Sequence, residues 1–216
     1  MKNESSNNTD CLDWISILVD LNALDQAKQY YTKFIEETEK RGDKEALVLA
    51  LEQLGDSEYK RSGQDGYKAA MDALTRAAEI RESEAIQQKD KLKNTYRLLG
   101  FAYLSLGLQV VKSTEYFEKA KAIMLEESSD DAELAEINTY IGVVYFWRGL
   151  RGTGRWGKKD ETILSDLIND PFVISNYHFG EAIEIRSKLN GKIHPDTLKL
   201  LHYLQEISYS KTVAKF

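Results

Sequence analysis

A glycine that follows a large aliphatic residue recurs three times within segments of helical periodicity: Leu54-Gly55, Leu99-Gly100 and Ile141-Gly142. Glycine in a helix interior costs about 1 kcal/mol relative to alanine, so its repeated use needs a physical reason. We infer that a second helix packs so closely that one of its side chains covers the position where a Cβ atom would lie. The sequence therefore predicts a series of helical hairpins that pack at these glycines.

The clearest hairpin spans residues 96–120. Its first helix has an apolar face with a period of three to four residues and is expected to end near Gly107. Its second helix carries Phe117, which we expect to face Gly100, and Ala120, which lets the two backbones approach. The same order recurs after the other two glycines: Tyr67, Ala70, Leu74 and Ala77 follow Gly55, and Phe179 and Ala182 follow Gly142.

This order of residues resembles the tetratricopeptide repeat (TPR), and its length resembles the kinesin light chain type of that repeat. The run from Ala182 to His194-Pro195-Asp196 looks like the linker of that family. The resemblance implies an all-α fold, a right-handed α-solenoid of four TPR-like hairpins. A C-terminal capping helix with a polar outer side is expected to begin at His194-Pro195-Asp196.

The two ends of the array also carry apolar stripes. The degenerate first repeat has its stripe at Trp14, Ile17, Leu18 and Leu21. We expect the capping helix to bury Leu198, Leu201, Leu204 and Ile207.

The domain organisation follows from these patterns. Residues 1–9 are polar and without a period, so we expect them to be disordered. Residues 10–211 are expected to form one TPR-like repeat domain, followed by a tail at 212–216. An insertion at about 150–172 interrupts the last hairpin, whose two helices should still pack together.

Composition narrows the class of protein. A net charge of −6 over 216 residues argues against general affinity for nucleic acid or for an anionic membrane. No stretch approaches the roughly 18 apolar residues of a membrane helix, and residues 1–9 have no apolar core of a signal peptide. The single cysteine, Cys11, fits a reducing compartment. We therefore expect a soluble, cytoplasmic protein.

No segment has the spacing of a catalytic or metal-binding motif. The three histidines, His178, His194 and His202, match no known ligand pattern, and the glycine-rich stretch 149–157 follows a predicted helix and lacks the Gly-Lys-Ser/Thr signature of a phosphate-binding loop. We therefore predict that the protein is not an enzyme and needs no cofactor or metal.

A groove lined by the first helix of each hairpin is the surface that such a fold offers to a peptide. Its candidate residues are Glu52, Asp56, Tyr59, Asn94, Arg97, Phe101, Leu104, Thr139, Val143, Phe146 and Trp147. Phe101, Phe146 and Trp147 have an alternative interpretation, which is that they bury against neighbouring helices.

The insertion is the other candidate site, because it concentrates positive charge in an acidic chain. Its residues are Arg148, Arg151, Arg155, Trp156, Lys158 and Lys159. Arginine and tryptophan are enriched at binding hot spots, so an acidic peptide, a phosphorylated segment or another copy of the protein could bind there. The alternative is a solvated loop whose cations offset nearby carboxylates.

These observations predict a non-catalytic protein-interaction module, an adaptor or scaffold that binds a peptide or partner protein in its groove or at the basic insertion. A structural subunit that self-associates, or that is a fixed part of a larger assembly, is the alternative. An enzyme with an unrecognised site is a second one.

Overall fold

The computed structural model describes residues 2–83, 89–106, 110–126, 131–152 and 170–213, and every element in these ranges is an α-helix. The chain forms two compact units, residues 1–113 (unit 1) and 114–216 (unit 2). In chain order the helices are α1 (Lys2–Asp20), α2 (Leu24–Arg41), α3 (Lys44–Arg61), α4 (Gly63–Ser83), α5 (Lys89–Leu106), α6 (Val110–Glu126), α7 (Asp131–Gly152), α8 (Pro171–Asn190) and α9 (Pro195–Val213). Among the described helices, none has the length and hydropathy needed to cross a bilayer.

Unit 1 is built from α1 to α5, each of which packs against its neighbour in the sequence. Helix α2 ends at Gly42, whose positive φ of 69° is a backbone conformation that glycine adopts without strain. Asp43 then caps α3, since its carboxylate accepts a hydrogen bond from the Ala46 amide at 3.1 Å. Apolar side chains from α1, α2, α3 and α4 form the core.

The predicted close packing at the glycines is confirmed at Gly55 and Gly142. A Cβ atom on Gly55 would lie 2.5 Å from Cγ of Leu74 in α4, and one on Gly142 would lie 2.7 Å from the ring of Phe179 in α8. Gly100 is buried as well. Gly55 and Gly142 therefore lie where a side chain of their own would be crowded out.

Unit 2 contains the hairpin of α7 and α8, which pack together although residues 153–169 separate them in the sequence. Gly149 lies two turns beyond Gly142 and is covered in the same way by the ring of Phe172. The Asp170 carboxylate caps α8 by accepting a hydrogen bond from the Phe172 amide at 2.8 Å, and Pro171 occupies the first helical position. The expectation that these two helices pack across the insertion is confirmed.

Two buried serines repeat one contact that the sequence analysis missed. The Ser113 hydroxyl donates to the Gly100 carbonyl at 2.8 Å, and the Ser175 hydroxyl donates to the Gly142 carbonyl at 2.7 Å. Each serine precedes a fully buried phenylalanine, Phe117 or Phe179, by four residues. The glycine backbone is therefore a hydrogen-bond acceptor in both places.

The apolar stripe predicted for α1 contacts the core at one of its four positions. Leu18 packs against the core, but the structure leaves Trp14, Ile17 and Leu21 exposed and buries Leu12 and Ile15 instead. This helix carries apolar residues on two faces, so periodicity alone could not show which face meets α2 and α3. It also begins at Lys2, although we predicted disorder for residues 1–9; extending a helix that is already anchored costs little free energy.

The buried face predicted for α9 is right at two positions and wrong at two. Ile207 is buried and Leu204 packs against the core, as predicted, whereas Leu198 and Leu201 are exposed, so the outer side of α9 is not wholly polar. Tyr203 explains the choice, because its ring stacks on Phe179 at 5.1 Å and thereby fixes which face of α9 meets α8. Helix α9 does begin at the predicted proline.

Candidate functional site

A cleft of about 430 Å³ opens on the surface of unit 1. Four helices supply its lining: Ser16, Val19 and Asp20 from α1, Tyr31 from α2, Leu49, Glu52, Gln53, Asp56 and Lys60 from α3, and Asn94, Arg97 and Leu98 from α5. Its size falls within the range of roughly 300–1,000 Å³ that is typical of ligand sites. We call it the unit 1 cleft.

The floor of the unit 1 cleft is held in place by buried polar contacts. The Tyr31 side chain is almost wholly buried, and its hydroxyl donates to Oε1 of Gln53 at 3.2 Å. Burial, followed by the nearby carboxylates of Asp56 and Asp20, raises the pKa of Tyr31 to about 12. Tyr31 is therefore a neutral phenol that supports the floor.

Glu52 is bound from behind by Arg81 of α4. The guanidinium donates through Nε to Oε1 at 2.8 Å and through Nη2 to Oε2 at 2.9 Å, the two-pronged geometry that suits arginine and a carboxylate. The Thr95 hydroxyl of α5 donates to the same carboxylate. Glu52 therefore joins α3, α4 and α5, and its charge is already neutralised.

The rim of the cleft carries charges of both signs. Lys60 pairs with Asp56 at 2.9 Å one turn away on α3, and Nη2 of Arg97 donates to Oδ1 of Asn94 at 3.2 Å. Asp20 and Asn94 are exposed. The rim thus offers both hydrogen-bond donors and acceptors, with half-buried apolar side chains of α1, α3 and α5 between them.

The structure brings together four of the predicted groove residues, Glu52, Asp56, Asn94 and Arg97, in the unit 1 cleft. Two others pack on each other instead: the Tyr59 ring lies 6.3 Å from that of Phe101, and the Tyr59 hydroxyl lies 3.3 Å from that of Ser105. Leu104 is half-buried.

In unit 2 the predicted groove residues are mostly parts of the packing. Phe146 lies in the hydrophobic core, where its ring meets those of Phe172 and Tyr203, and it is not available to a ligand. Val143 packs against the same core. The half-buried Thr139 donates its hydroxyl to the Ala135 carbonyl, and Trp147 is partly exposed beside Phe146.

Most of the basic insertion lies outside the described residues, namely Arg155, Trp156, Lys158 and Lys159. The two described members are at the end of α7, where Arg148 is half-buried and Arg151 is exposed. Its use as a binding site stays a prediction.

The sequence analysis missed what α1 and α2 contribute to the unit 1 cleft. Asp20 and Tyr31 were not candidates because the first repeat is degenerate, so its positions could not be matched to those of the later repeats. Gln53 was passed over although it is adjacent to Glu52 on α3. The only sequence signal for this contribution was a polar residue, Asp20, near the end of a helix with an apolar period.

A second polar cluster is buried in unit 2. Oδ1 of Asn138 accepts a hydrogen bond from Lys121 Nζ at 2.8 Å and lies 3.0 Å from Nδ1 of His178, so this ring nitrogen carries the proton. Nε2 of His178 lies 3.4 Å from the Glu118 carboxylate, and Lys121 also pairs with Glu181 at 3.2 Å. Burial, and then the charge of Lys121, lower the pKa of His178 to about 4, while burial raises the pKa of Glu118.

This cluster does not have the composition of a metal site. Among the described residues, no group of three or more histidine, cysteine, aspartate or glutamate side chains could hold a metal ion. Its lysine and asparagine contribute a positive charge and an amide, and we interpret the cluster as a polar join between α6, α7 and α8.

Sequential helical hairpins pack on one another, and glycines of the first helix are covered by side chains of the second. This packing defines a class of protein fold. The chain has the fold of a TPR-like helical-repeat protein, as predicted. The particular kind of repeat is similar to that of kinesin light chains, which confirms the resemblance drawn from the sequence. No protein-family model matches the chain. No curated protein matches it either.

Three solved structures carry this finding. The nearly identical TPR-like repeats of a putative kinesin light chain from Podosopora anserina align with a TM-score of 0.69 at 14% identity, covering 99% of this chain and 92% of that one. A point variant of the same repeats aligns with a TM-score of 0.68 at 14% identity, covering 97% and 90%. BtubC (BKLC) from P. vanneervenii aligns with a TM-score of 0.55 at 19% identity, covering 88% and 67%.

Proposed function

We propose that the protein is a non-catalytic interaction module that binds a short segment of a partner protein in the unit 1 cleft. The TPR-like fold supports a protein-interaction or scaffold role. The observation that carries the proposal is the convergence of four helices on one cleft, where Glu52, Asp56, Asn94 and Arg97 meet side chains of α1 and α2.

The lining suits a peptide segment in an extended conformation. Such a segment presents backbone N–H and C=O groups that need partners of both kinds, and the rim supplies Asn94 and the pair of Asp56 and Lys60. Leu49 and Leu98 provide apolar surface for one side chain of the segment. Because Glu52 is neutralised by Arg81, the cleft does not demand a cationic ligand.

The experiment uses a displayed library of random peptides selected on the full chain. Selected sequences are made as free labelled peptides, and their affinity is measured by fluorescence anisotropy for wild type and for Asn94→Trp. Asn94 is exposed at the rim, so an indole there fills part of the cleft without disturbing the core. We expect binding to weaken at least about tenfold, a loss of roughly 1.4 kcal/mol.

Asn176→Trp is the matched control, since Asn176 is also exposed, lies on α8 and is distant in sequence from the cleft residues. Its affinity should equal that of wild type. Selected peptides that bind Asn94→Trp as tightly as wild type would place the site elsewhere. A library that yields no binding peptide would contradict the proposal as a whole.

The basic insertion remains a second candidate site, with an acidic or phosphorylated segment as its expected ligand. The exposure of Arg151 at the end of α7 favours it. Peptides that keep their affinity for Asn94→Trp but lose it when Arg151, Arg155, Lys158 and Lys159 are changed to glutamate would identify this second site. The cytoplasmic location likewise stays a prediction.

A further inference from the structure

The outer face of α1 is apolar and exposed. Trp14, Ile17 and Leu21 are 50%, 52% and 72% exposed. Trp14 and Ile17 lie on the side of α1 away from the buried Leu12 and Ile15, and Leu21 directly follows the last residue of this helix. We call these three residues the α1 stripe. Tyr30 of α2 extends it, since its ring meets that of Trp14 edge to face at 5.1 Å. A contiguous exposed apolar surface of this kind typically marks an interaction site.

The outer face of α9 has a similar character. Leu198 and Leu201 are 48% and 44% exposed and share a face with the exposed Gln205. We call these three residues the α9 stripe. The opposite face of α9 packs on α8 through Leu200 and Ile207. Helix α1 in unit 1 and helix α9 in unit 2 thus each present an apolar face that the described residues leave exposed.

Charge distinguishes the two stripes. The exposed carboxylates of Asp10 and Asp13 accompany the α1 stripe, whereas the exposed ammonium group of Lys199 accompanies the α9 stripe. Two α1 stripes brought together would oppose aspartates to aspartates, which is unfavourable. An α1 stripe brought onto an α9 stripe would oppose these carboxylates to Lys199, which is favourable.

We propose that the α1 stripe of one molecule binds the α9 stripe of a second copy of this chain, head to tail. The contact continues between molecules the stacking that joins neighbouring helices within each one. It joins two different surfaces of the same chain, so it is heterologous and an open assembly keeps one unoccupied α1 stripe and one unoccupied α9 stripe. Self-association, which the sequence left open as an alternative function, then has a defined surface. The small apolar area indicates a weak contact of the class that buries less than about 1,200 Å².

The experiment blocks the two stripes separately in the full chain and measures size by sedimentation velocity. Ile17→Glu/Leu21→Glu blocks the α1 stripe, and Leu198→Glu/Leu201→Glu blocks the α9 stripe. We expect the mean mass of wild type to grow with protein concentration and each double variant to stay monomeric. An equimolar mixture of the two variants should form 1:1 dimers and nothing larger, because one intact stripe of each kind remains.

Val111→Glu/Leu125→Glu is the matched control, since both side chains are exposed apolar residues outside the stripes. It should associate like wild type. A wild type that stays monomeric at all concentrations would overturn the proposal, and so would a mixture of blocked variants that stays monomeric. Dimers of the α9-blocked variant alone would show instead an α1-to-α1 contact. If a double variant loses the circular dichroism spectrum of a helical protein, the single variants Leu21→Gln and Leu201→Gln replace the two double variants in the same experiment.

Discussion

Two glycines on contacting helices differ in what a methyl group would meet. A Cβ on Gly142 would lie 2.7 Å from two ring atoms of Phe179, whereas one on Gly180 would meet nothing within 4 Å. We predict that Gly142→Ala lowers the free energy of unfolding by about 1–2 kcal/mol, because overpacking costs roughly 1–3 kcal/mol and outweighs the better helix propensity of alanine. Urea unfolding followed by circular dichroism measures the change.

Gly180→Ala is the control for this prediction. The exposed position gains only helix propensity, so the variant should be more stable by about 0.5–1 kcal/mol. If both variants changed the free energy of unfolding equally and in the same direction, this would contradict the close packing at Gly142.

The buried His178 should make stability depend on pH. Its pKa of about 4 in the folded protein is lower than the ordinary value of 6.5. Between about pH 6.5 and pH 4 the unfolded chain binds a proton at this residue that the folded chain does not, so stability falls as the pH falls through this window. The full effect is about 3 kcal/mol. Glu118, whose pKa is raised by burial, opposes part of it, because the folded form then binds a proton at a higher pH than the unfolded form.

The measurement is the free energy of unfolding in urea at several pH values from 7 to 4, for wild type and His178→Gln. The free energy of unfolding of His178→Gln should fall less with decreasing pH than that of wild type. The substitution leaves Lys121 and Glu181 in place. His202→Gln removes an exposed histidine and should keep the slope of wild type. Identical slopes for all three proteins would show that His178 titrates normally in the folded state.

At the scale of the helices, the ion pair of Arg81 and Glu52 joins α4 to α3. The side chain of Arg81 is 1% exposed, so Arg81→Met leaves the Glu52 carboxylate without its buried partner. We predict a loss of about 3 kcal/mol in the free energy of unfolding. The double variant Arg81→Met/Glu52→Leu should recover most of this loss, since an apolar pair of similar volume needs no desolvated charge. Chemical denaturation of the two variants and wild type gives the comparison.

Arg76→Met is the matched control on the same helix. Its ion pair with Glu39 is exposed on both sides, so the change should cost less than about 1 kcal/mol. A double variant that is less stable than Arg81→Met alone would show that the buried pair itself stabilises the fold.

The elements also show where prediction from sequence reached its limit. The presence of α3 and α4 followed from glycine spacing and period, and Leu74 was one of the apolar residues expected to follow Gly55. The face that α9 buries could not be predicted in the same way, because leucines lie on more than one side of that helix. Contacts with α7 and α8, among them the stacking of Tyr203 on Phe179, select one side. Glu52 was expected to bind a ligand, but its pairing with Arg81 is a long-range contact that no local pattern reveals.

At the scale of the whole molecule, unfolding should not be a single transition. The helices of each unit pack mainly on their neighbours in the sequence, and cooperativity is limited in repeat proteins for this reason. Trp14 reports on unit 1 and Trp147 reports on unit 2, and Trp156, which lies outside the described residues, is replaced in both backgrounds. We predict that Gly142→Ala shifts the fluorescence transition in a Trp14→Phe/Trp156→Phe background but leaves that of a Trp147→Phe/Trp156→Phe background nearly unchanged.

The measurement is equilibrium unfolding in urea for the two tryptophan backgrounds, each with and without Gly142→Ala. Without that substitution, the two backgrounds should differ in midpoint. Coincident midpoints that move together would establish a single cooperative unit, contrary to this prediction.

The sequence by itself determined that this protein is a series of helical hairpins of the TPR-like, kinesin light chain-like kind. Glycine spacing, helical period and the His194-Pro195-Asp196 turn are local features, so they could be read without knowing the fold. The tertiary structure alone decided which face of α1 and of α9 is buried and that α1 and α2 complete the unit 1 cleft. The physical reason is that α1 and α9 are each apolar on both faces, so the choice between the faces depends on contacts with helices that lie elsewhere in the sequence.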